Sequence, residues 1–278
     1  MRSHEVALVV AQPDKRAGRG LKLQSPAIAR KANELRLPLL QPAKIRDVLA
    51  EIEAVHPDIG VVVAYGKILP LALLQIPKRG FVNVHASILP KYRGAAPIQR
   101  AIEHGETETG VTIMRVDEQL DHGPILSIER APIAAHERAP ALSQRLARLG
   151  ANALLRTLAS PDVRETPQDH TRATLAPKIE KSEGEIRWSD PATTIYNKFR
   201  AFDPWPGVYT DDLKLIEIEP ASGDAEAGAI LSIDDAGVTV AAGGGAIKLI
   251  AVQHPGKSRQ RAIDFARRAG WRVGAKIS

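Results

Sequence analysis

The sequence predicts an α/β domain with a largely parallel sheet, followed by a small β-barrel. Three observations carry this. Strand-like apolar runs alternate with helical patterns over the first 159 residues, as in strands returned by helices. One run, residues 59–64, is apolar and rich in β-branched residues, as expected of a strand covered on both faces. From residue 186 onward short strands separated by turns dominate, a barrel-like pattern.

Taken in order, residues 6–10 form an apolar run that ends in Gln12, Pro13 and Asp14, and read as a buried strand closed by a turn. Residues 17–20 read as a flexible basic loop. Ser25 stands where it can cap a helix whose first residue is Pro26, and Pro38 stops that helix. Residues 47–55 predict a second helix, 81–85 a strand, 97–104 a helix and 109–116 a strand. Residues 142–158 predict a long amphipathic helix, with Leu142, Leu146, Leu149, Leu154 and Leu158 near helical spacing. Residues 160–176 are polar, rich in Pro and Thr, and read as a linker. Strands follow at 213–218, 229–233, 237–241 and 246–252, with a terminal helix over 264–270. The expected domains are therefore 1–159 and 181–278, joined by a linker at 160–180.

Composition narrows the function. The chain has 278 residues, 44% of them hydrophobic and 25% charged, which suits an ordinary soluble globular protein. No apolar run approaches the roughly 20 residues that cross a bilayer, and no secretory leader is evident, so no membrane role and a cytoplasmic location are expected. The absence of cysteine excludes disulfides, thiolate nucleophiles and cysteine-based zinc sites. No His and carboxylate cluster has ligand spacing, so no metal is expected. The glycine fingerprint of a nucleotide site is absent too. The net charge of +6 is unevenly spread. Lys15, Arg16, Arg19, Lys22, Arg30 and Lys31 follow one another with no acid between them. The tail carries Lys248, Lys257, Arg259, Arg261, Arg267, Arg268, Arg272 and Lys276 against Asp264 alone. Such clusters suit a polyanion, although solvated basic surfaces are also common.

The chemistry is concentrated in Asn83-Val84-His85-Ala86-Ser87-Ile88-Leu89-Pro90 and in Leu120-Asp121-His122-Gly123-Pro124. A strand alternates its side chains, so Asn83 and His85 share one face while Val82 and Val84 take the other. Open α/β sheets bind ligands at the C-terminal edge of their strands. Singly, each residue has a duller reading: Asn and Asp as turn formers, His as a satisfied structural side chain. Together, an amide, an imidazole and a carboxylate can move an acyl group without a covalent enzyme intermediate. The donors steady the oxyanion and the carboxylate manages protons.

Residues 83–126 resemble the folate-dependent formyltransferases, and in particular the branch that acts on methionyl-tRNA. The resemblance extends to Tyr92-Arg93-Gly94-Ala95-Ala96-Pro97-Ile98-Gln99-Arg100, to Thr109-Gly110-Val111-Thr112-Ile113-Met114, to the basic stretch from Gln12 to Gly20, and to the hinge from Arg200 to Gly207. It implies a Rossmann-like domain followed by an OB-like barrel. It also implies transfer of the formyl group of 10-formyltetrahydrofolate to the α-amine of methionyl-initiator tRNA, in translation initiation. Carried onto this sequence, Asn83 and His85 would bind the developing oxyanion. Asp121 would orient His85 or a water and help move the amine proton. Ser87, Ile88, Leu89 and Pro90 would border the folate, with Tyr65, Gly66, Lys67, Ile68 and Leu69 as a further wall. Lys15, Arg16, Arg19 and Lys22 would grip the tRNA. A monomer is expected.

Against the family pattern, a first strand, turn and helix, on the order of 25–30 residues, would be expected before the segment matching Ser3-His4-Glu5-Val6. His122 stands where small or polar residues are usual and is expected as a simple exposed side chain. Two other readings keep some of these motifs: a formyltransferase acting on a small amine such as a sugar nucleotide, and a catalytically inactive tRNA-binding relative.

Overall fold

The computed structural model describes residues 4–17, 22–160, 162–211 and 213–277. The chain forms two compact units that interleave along the sequence. The first comprises Met1–Arg93, Gly110–Glu129 and Arg148–Thr174; the second comprises Gly94–Thr109, Arg130–Ala147 and Leu175–Ser278.

The α/β reading holds, with a mixed sheet. Gly60–Val62, Phe81–His85, Glu108–Arg115 and Ile125–Pro132 lie side by side in that order. Gly60–Val62 runs parallel to Phe81–His85, and Glu108–Arg115 runs antiparallel to it. Val9–Val10 and Leu39–Leu40 make a separate parallel pair. The strand expected at 59–64 is shorter and is not covered on both faces, since Val61 is 43% and Val63 61% exposed. It is the end strand of its sheet among the described residues, so a continuous apolar run did not here signify two-sided burial. Residues 6–10 likewise contribute only Val9 and Val10 to a strand.

The first helix runs over Ala27–Glu34 with Pro26 at its N-cap. Ser25 does not cap it. Its hydroxyl donates instead to Asp14 Oδ2 at 2.8 Å, and Gln41 Nε2 donates to Asp14 Oδ1 at 2.7 Å. These two hydrogen bonds lower the Asp14 carboxyl below its ordinary range. They close the root of a hairpin in which Lys15–Ala17 pairs with Lys22–Gln24, where a flexible loop was expected to begin. The expected second helix is a 3-10 turn, Ile45–Val48, running into Leu49–Ala54. Ile45, Ile52 and Leu73 form a small core there, with Tyr65, Leu69 and Phe81 packed on it.

The long helix spans Ala139–Ala159. Gly150 lets it lie close on the sheet: a Cβ at this position would stand 2.8 Å from Val84 Cγ1 and 3.3 Å from Val111 Cγ1. The Val84 face of the strand Phe81–His85 is thus used for packing, as its period-two pattern predicts. Of the linker expected at 160–180, residues 162–174 belong to the first unit. Ile125 and Thr166 exchange backbone hydrogen bonds of 2.8 and 2.9 Å, and Gln168 is buried.

The second unit is dominated by an antiparallel sheet of six strands. Val208–Thr210, Leu213–Ala221, Gly245–Gln253, Gly237–Ala242 and Ile230–Asp234 are adjacent in that order, and Gln260–Arg261 pairs on Gly245–Gln253. Gly237–Ala242 is buried throughout, and the helix Ala262–Ala269 ends on Gly270 in the left-handed region at φ 69°. The predicted strands here lie within a residue or a few of the observed ones. The helix Ala192–Ala201 was not foreseen, although Ala192, Ile195, Tyr196 and Phe199 give it a buried stripe at helical spacing. The basic tail is also less free than its sequence suggests, because Arg259 pairs with Glu217, Lys276 with Glu226 and Arg261 with Asp264.

Gly150→Ala tests the helix–sheet contact, because two effects oppose each other. Alanine favours an isolated helix by about 1 kcal/mol, whereas overpacking against Val84 costs about 1–3 kcal/mol. The contact distances favour net destabilisation, read as a lower denaturation midpoint in urea.

Candidate active site

The three predicted residues meet at one atom. Asn83 lies on the strand Phe81–His85, and its Nδ2 donates to Asp121 Oδ1 at 3.2 Å. His85 Nδ1 lies 3.6 Å from that same oxygen. The His85 side chain is buried, and its Nε2 is 2.8 Å from the carbonyl oxygen of Tyr92. A carbonyl can only accept, so Nε2 carries a hydrogen. Nδ1 is therefore the nitrogen left to exchange a proton at the site, and it faces the Asp121 carboxylate. The ring has been given one orientation and one task.

Local sequence explains how Asp121 arrives there. It adopts φ 48°, a left-handed conformation that Asp tolerates better than most residues. Two residues on, Gly123 passes so close to the strand that a Cβ would stand 2.3 Å from the Arg115 carbonyl oxygen. Arg115 N then donates to Pro124 O at 2.9 Å and pins the turn back onto the sheet.

The loop after the strand is held by hydrogen bonds the sequence did not reveal. Thr112 Oγ1 donates to Ser87 O at 2.7 Å and accepts from Leu89 N at 3.2 Å. Ser87 Oγ donates to Lys91 O at 2.6 Å. Ser87 and Leu89 are buried, while Ile88 and Pro90 are half-buried. The peptide between Leu89 and Pro90 is cis. Of the four residues expected beside the folate, Ser87 therefore serves the loop's own structure with its side chain, and Leu89 is buried with its backbone N–H held by Thr112. In the other expected wall, Tyr65 and Leu69 face the small core and Ile68 is 85% exposed. Lys67 Nζ donates to Ala43 O at 2.8 Å, and Gly66 supplies a positive φ of 72°. The Tyr65 hydroxyl is buried without a hydrogen-bond partner, and burial raises it above the ordinary phenol range.

Residues 168–174 add a further layer. Tyr92 N donates to Thr174 Oγ1 at 2.9 Å and Arg93 N to Thr174 O at 2.8 Å. Arg93 NH2 reaches Gln168 Oε1 at 2.6 Å and His170 Nδ1 at 2.8 Å. His122 is not a simple exposed side chain. Its ring stacks on His170 with centroids 4.0 Å apart, and its Nδ1 lies 2.7 Å from Asp117 Oδ2. Arg93 was in view as part of a motif, but its partners stand 75 and 77 positions away, a separation that leaves no periodic trace.

Of the predicted tRNA residues, Lys15, Arg16 and Lys22 are exposed on the two strands of the hairpin; Arg19 lies outside the described residues. Among the described residues, no group of three or more His, Cys, Asp or Glu side chains could hold a metal ion, and no helix is long and apolar enough to cross a membrane.

An amide, an imidazole and a carboxylate gathered at a strand's end beside an α/β sheet define an acyl-group transferase. The chain belongs to the formyl transferase family: the family profile matches residues 1–158, and that of the formyl transferase C-terminal domain matches residues 178–270. A methionyl-tRNA formyltransferase from Thermus thermophilus is 41% identical over 281 aligned positions, covering 99% of this chain and 92% of the relative. The enzyme of that name from Deinococcus radiodurans is 43% identical, covering 98% and 88%. Among solved structures, an N-formyltransferase from Helicobacter canadensis in complex with folinic acid and dTDP-3-aminofucose aligns with a TM-score of 0.65 at 15% identity, over 88% of this chain and 99% of that one. HypX from Aquifex aeolicus in complex with tetrahydrofolic acid aligns at 0.62 and 19% identity, over 85% and 43%. At these identities the two structures speak for the fold.

Thr112→Val keeps the side chain's shape and removes both of its hydrogen bonds. Leaving a buried donor and acceptor unmatched costs about 1–3 kcal/mol, so the expected result is a lower unfolding free energy in denaturant titration. An unchanged midpoint would show that this hydroxyl does not hold the loop.

Proposed function

We propose that this protein transfers the formyl group of 10-formyltetrahydrofolate to the α-amine of methionyl-initiator tRNA. The observation that carries the reading is the convergence of Asn83 Nδ2 and His85 Nδ1 on Asp121 Oδ1. The relatives named for this activity match the chain over nearly its full length, which favours methionyl-tRNA over a small amine as acceptor.

In this reading the lone pair of the amine attacks the formyl carbon and the carbonyl oxygen becomes an oxyanion. Asn83 donates an N–H to that oxygen. His85 Nδ1, bare because the ring hydrogen is committed from Nε2 to Tyr92 O, takes the proton of the attacking amine beside the Asp121 carboxylate and then donates it in a hydrogen bond to the oxyanion. The carbon–nitrogen bond to the folate then breaks. The proton lost by the amine passes through the His85–Asp121 pair to the leaving nitrogen, so the enzyme ends as it began. The donors are fixed before the charge appears, which is where electrostatic catalysis gains most. Burial around His85 strengthens these contacts by excluding water.

Ile88 and Pro90, with Gly66, Lys67 and Ile68, border the folate in this account, while Tyr65 and Leu69 back that wall from the small core. Residues 1–159 carry the transfer and residues 181–278 contribute to tRNA binding. The exposed cations Lys15, Arg16 and Lys22 hold phosphates, and Arg19 joins them in this reading. A role in translation initiation supports a cytoplasmic location in this reading, and the protein is read as a monomer.

Asn83→Ala, His85→Ala and Asp121→Asn should each lower kcat for formylation of Met-tRNA by about 10²–10³, the usual effect of removing one oxyanion donor or its partner. Circular dichroism should remain that of the parent. Parental turnover in all three variants would refute the site, and faster transfer to a sugar nucleotide than to Met-tRNA would refute the acceptor.

The tRNA contact has its own readout. The logarithm of affinity should fall against the logarithm of salt by about 0.7–0.9 for each phosphate contact. The double variant Lys15→Ala, Arg16→Ala should reduce that slope by between about one and two. An identical slope in parent and double variant would remove this hairpin from the interface.

A further inference from the structure

We propose that Gln168 is a positioning residue for Asp121, and that its side-chain amide sets the carboxylate where Asn83 and His85 can share it. The inference rests on Asp121 being the carboxylate of the transfer reaction.

Gln168 lies in the segment whose sequence reads as a linker, yet it is only 6% exposed. Its Nε2 donates to two backbone carbonyls of the carboxylate's own turn, Asp121 O at 3.0 Å and Gly123 O at 2.8 Å. The amide's two hydrogens are thereby both used, and both are used on the residue at φ 48° and its near neighbour. A non-glycine residue in the left-handed region is held there by its surroundings rather than by its own preference. Gln168 thus holds the turn at Asp121 O and Gly123 O, while Arg115 N holds it at Pro124 O.

The amide cannot be turned over. Its Oε1 accepts from Arg93 NH2 at 2.6 Å, and a guanidinium has only hydrogens to offer. Arg93 therefore decides that the oxygen faces it and the nitrogen faces the carbonyls. Arg93 is itself 9% exposed, and its position is fixed by His170 Nδ1 at 2.8 Å and by the strand-like bond from Arg93 N to Thr174 O. A chain of directed hydrogen bonds thus runs from Arg93 through Gln168 to the Asp121 backbone, and the Asp121 side chain in turn accepts from Asn83 and stands 3.6 Å from His85 Nδ1. Such chains matter because a misplacement of about 1 Å can lower a rate by 10²-fold.

A residue that merely stabilises the fold would slow the enzyme whether or not Asp121 carries its charge. One that acts through Asp121 would not, and a double-mutant cycle separates the two. In the full chain, Gln168→Met keeps length and removes both donors. It should lower kcat for Met-tRNA formylation by about 10- to 100-fold, with KM for Met-tRNA within about threefold of the parent. In an Asp121→Asn background the same change should lower kcat by less than about twofold, the coupling expected of a pair acting as one. Equal factors in the two backgrounds would overturn the positioning role while leaving Asp121's own role intact. Parental turnover in Asp121→Asn alone would instead overturn the site on which the inference rests. Gln168→Glu repeats the test with its Arg93 contact preserved, since a carboxylate has no N–H to give Asp121 O. It should show the same non-additivity even if Gln168→Met fails to fold, and parental kcat in Gln168→Glu would overturn the proposal.

Discussion

The site depends on a backbone carbonyl that can accept a hydrogen bond and never donate one. Because the oxygen of Tyr92 faces His85 Nε2, the imidazole has no choice of tautomer. Its remaining nitrogen must look toward Asp121, and everything around the ring serves to keep that carbonyl in place. Tyr92 sits at φ 61°, held by Thr174 on one side, and Ser87 ties the start of the same loop to Lys91. Thr112 joins the loop to the neighbouring strand. A small number of directed bonds therefore converts an ordinary strand end into a place where a proton has one route.

The strand beneath is one-sided by construction. Its odd-numbered side chains, Asn83 and His85, meet the carboxylate, and Val84 meets the long helix at Gly150. Period two in sequence becomes a division between chemistry and packing. This is why the shared face of Asn83 and His85 could be read from residue order alone, and why the fit of a helix on the far side bears on how steadily the pair is held.

Other parts were legible to different degrees, for physical reasons. The strands of the second unit alternate and are bounded by turns, so their places were plain. The helix Ala192–Ala201 carried a helical stripe that went unread because strands surround it. The edge strand Gly60–Val62 looked fully covered since apolarity records what a residue tolerates, not what lies over it. Ser25 was a good capping residue by type, but Asp14 competed for its hydroxyl and won. His122 looked like surface and proved to be stacked on His170. Gln168, Thr174 and the partners of Arg93 were invisible for a deeper reason. A polar side chain that reaches across tens of residues obeys geometry that only the folded chain supplies.

The interleaving of the two units has a practical corollary for anyone dissecting the molecule. A scissor placed at residue 160, where the polypeptide turns polar and proline-rich, severs no regular element. It would nonetheless strip from the first unit the strand-like crossing at Thr166 and the threonine that steadies Tyr92. The fragment so liberated would carry stretches of the second unit, Gly94–Thr109 and Arg130–Ala147, and lack the brace behind Tyr92. Where the first unit stops is decided by which backbone atoms clasp one another, and its last stretch runs on to Thr174, past the change in composition.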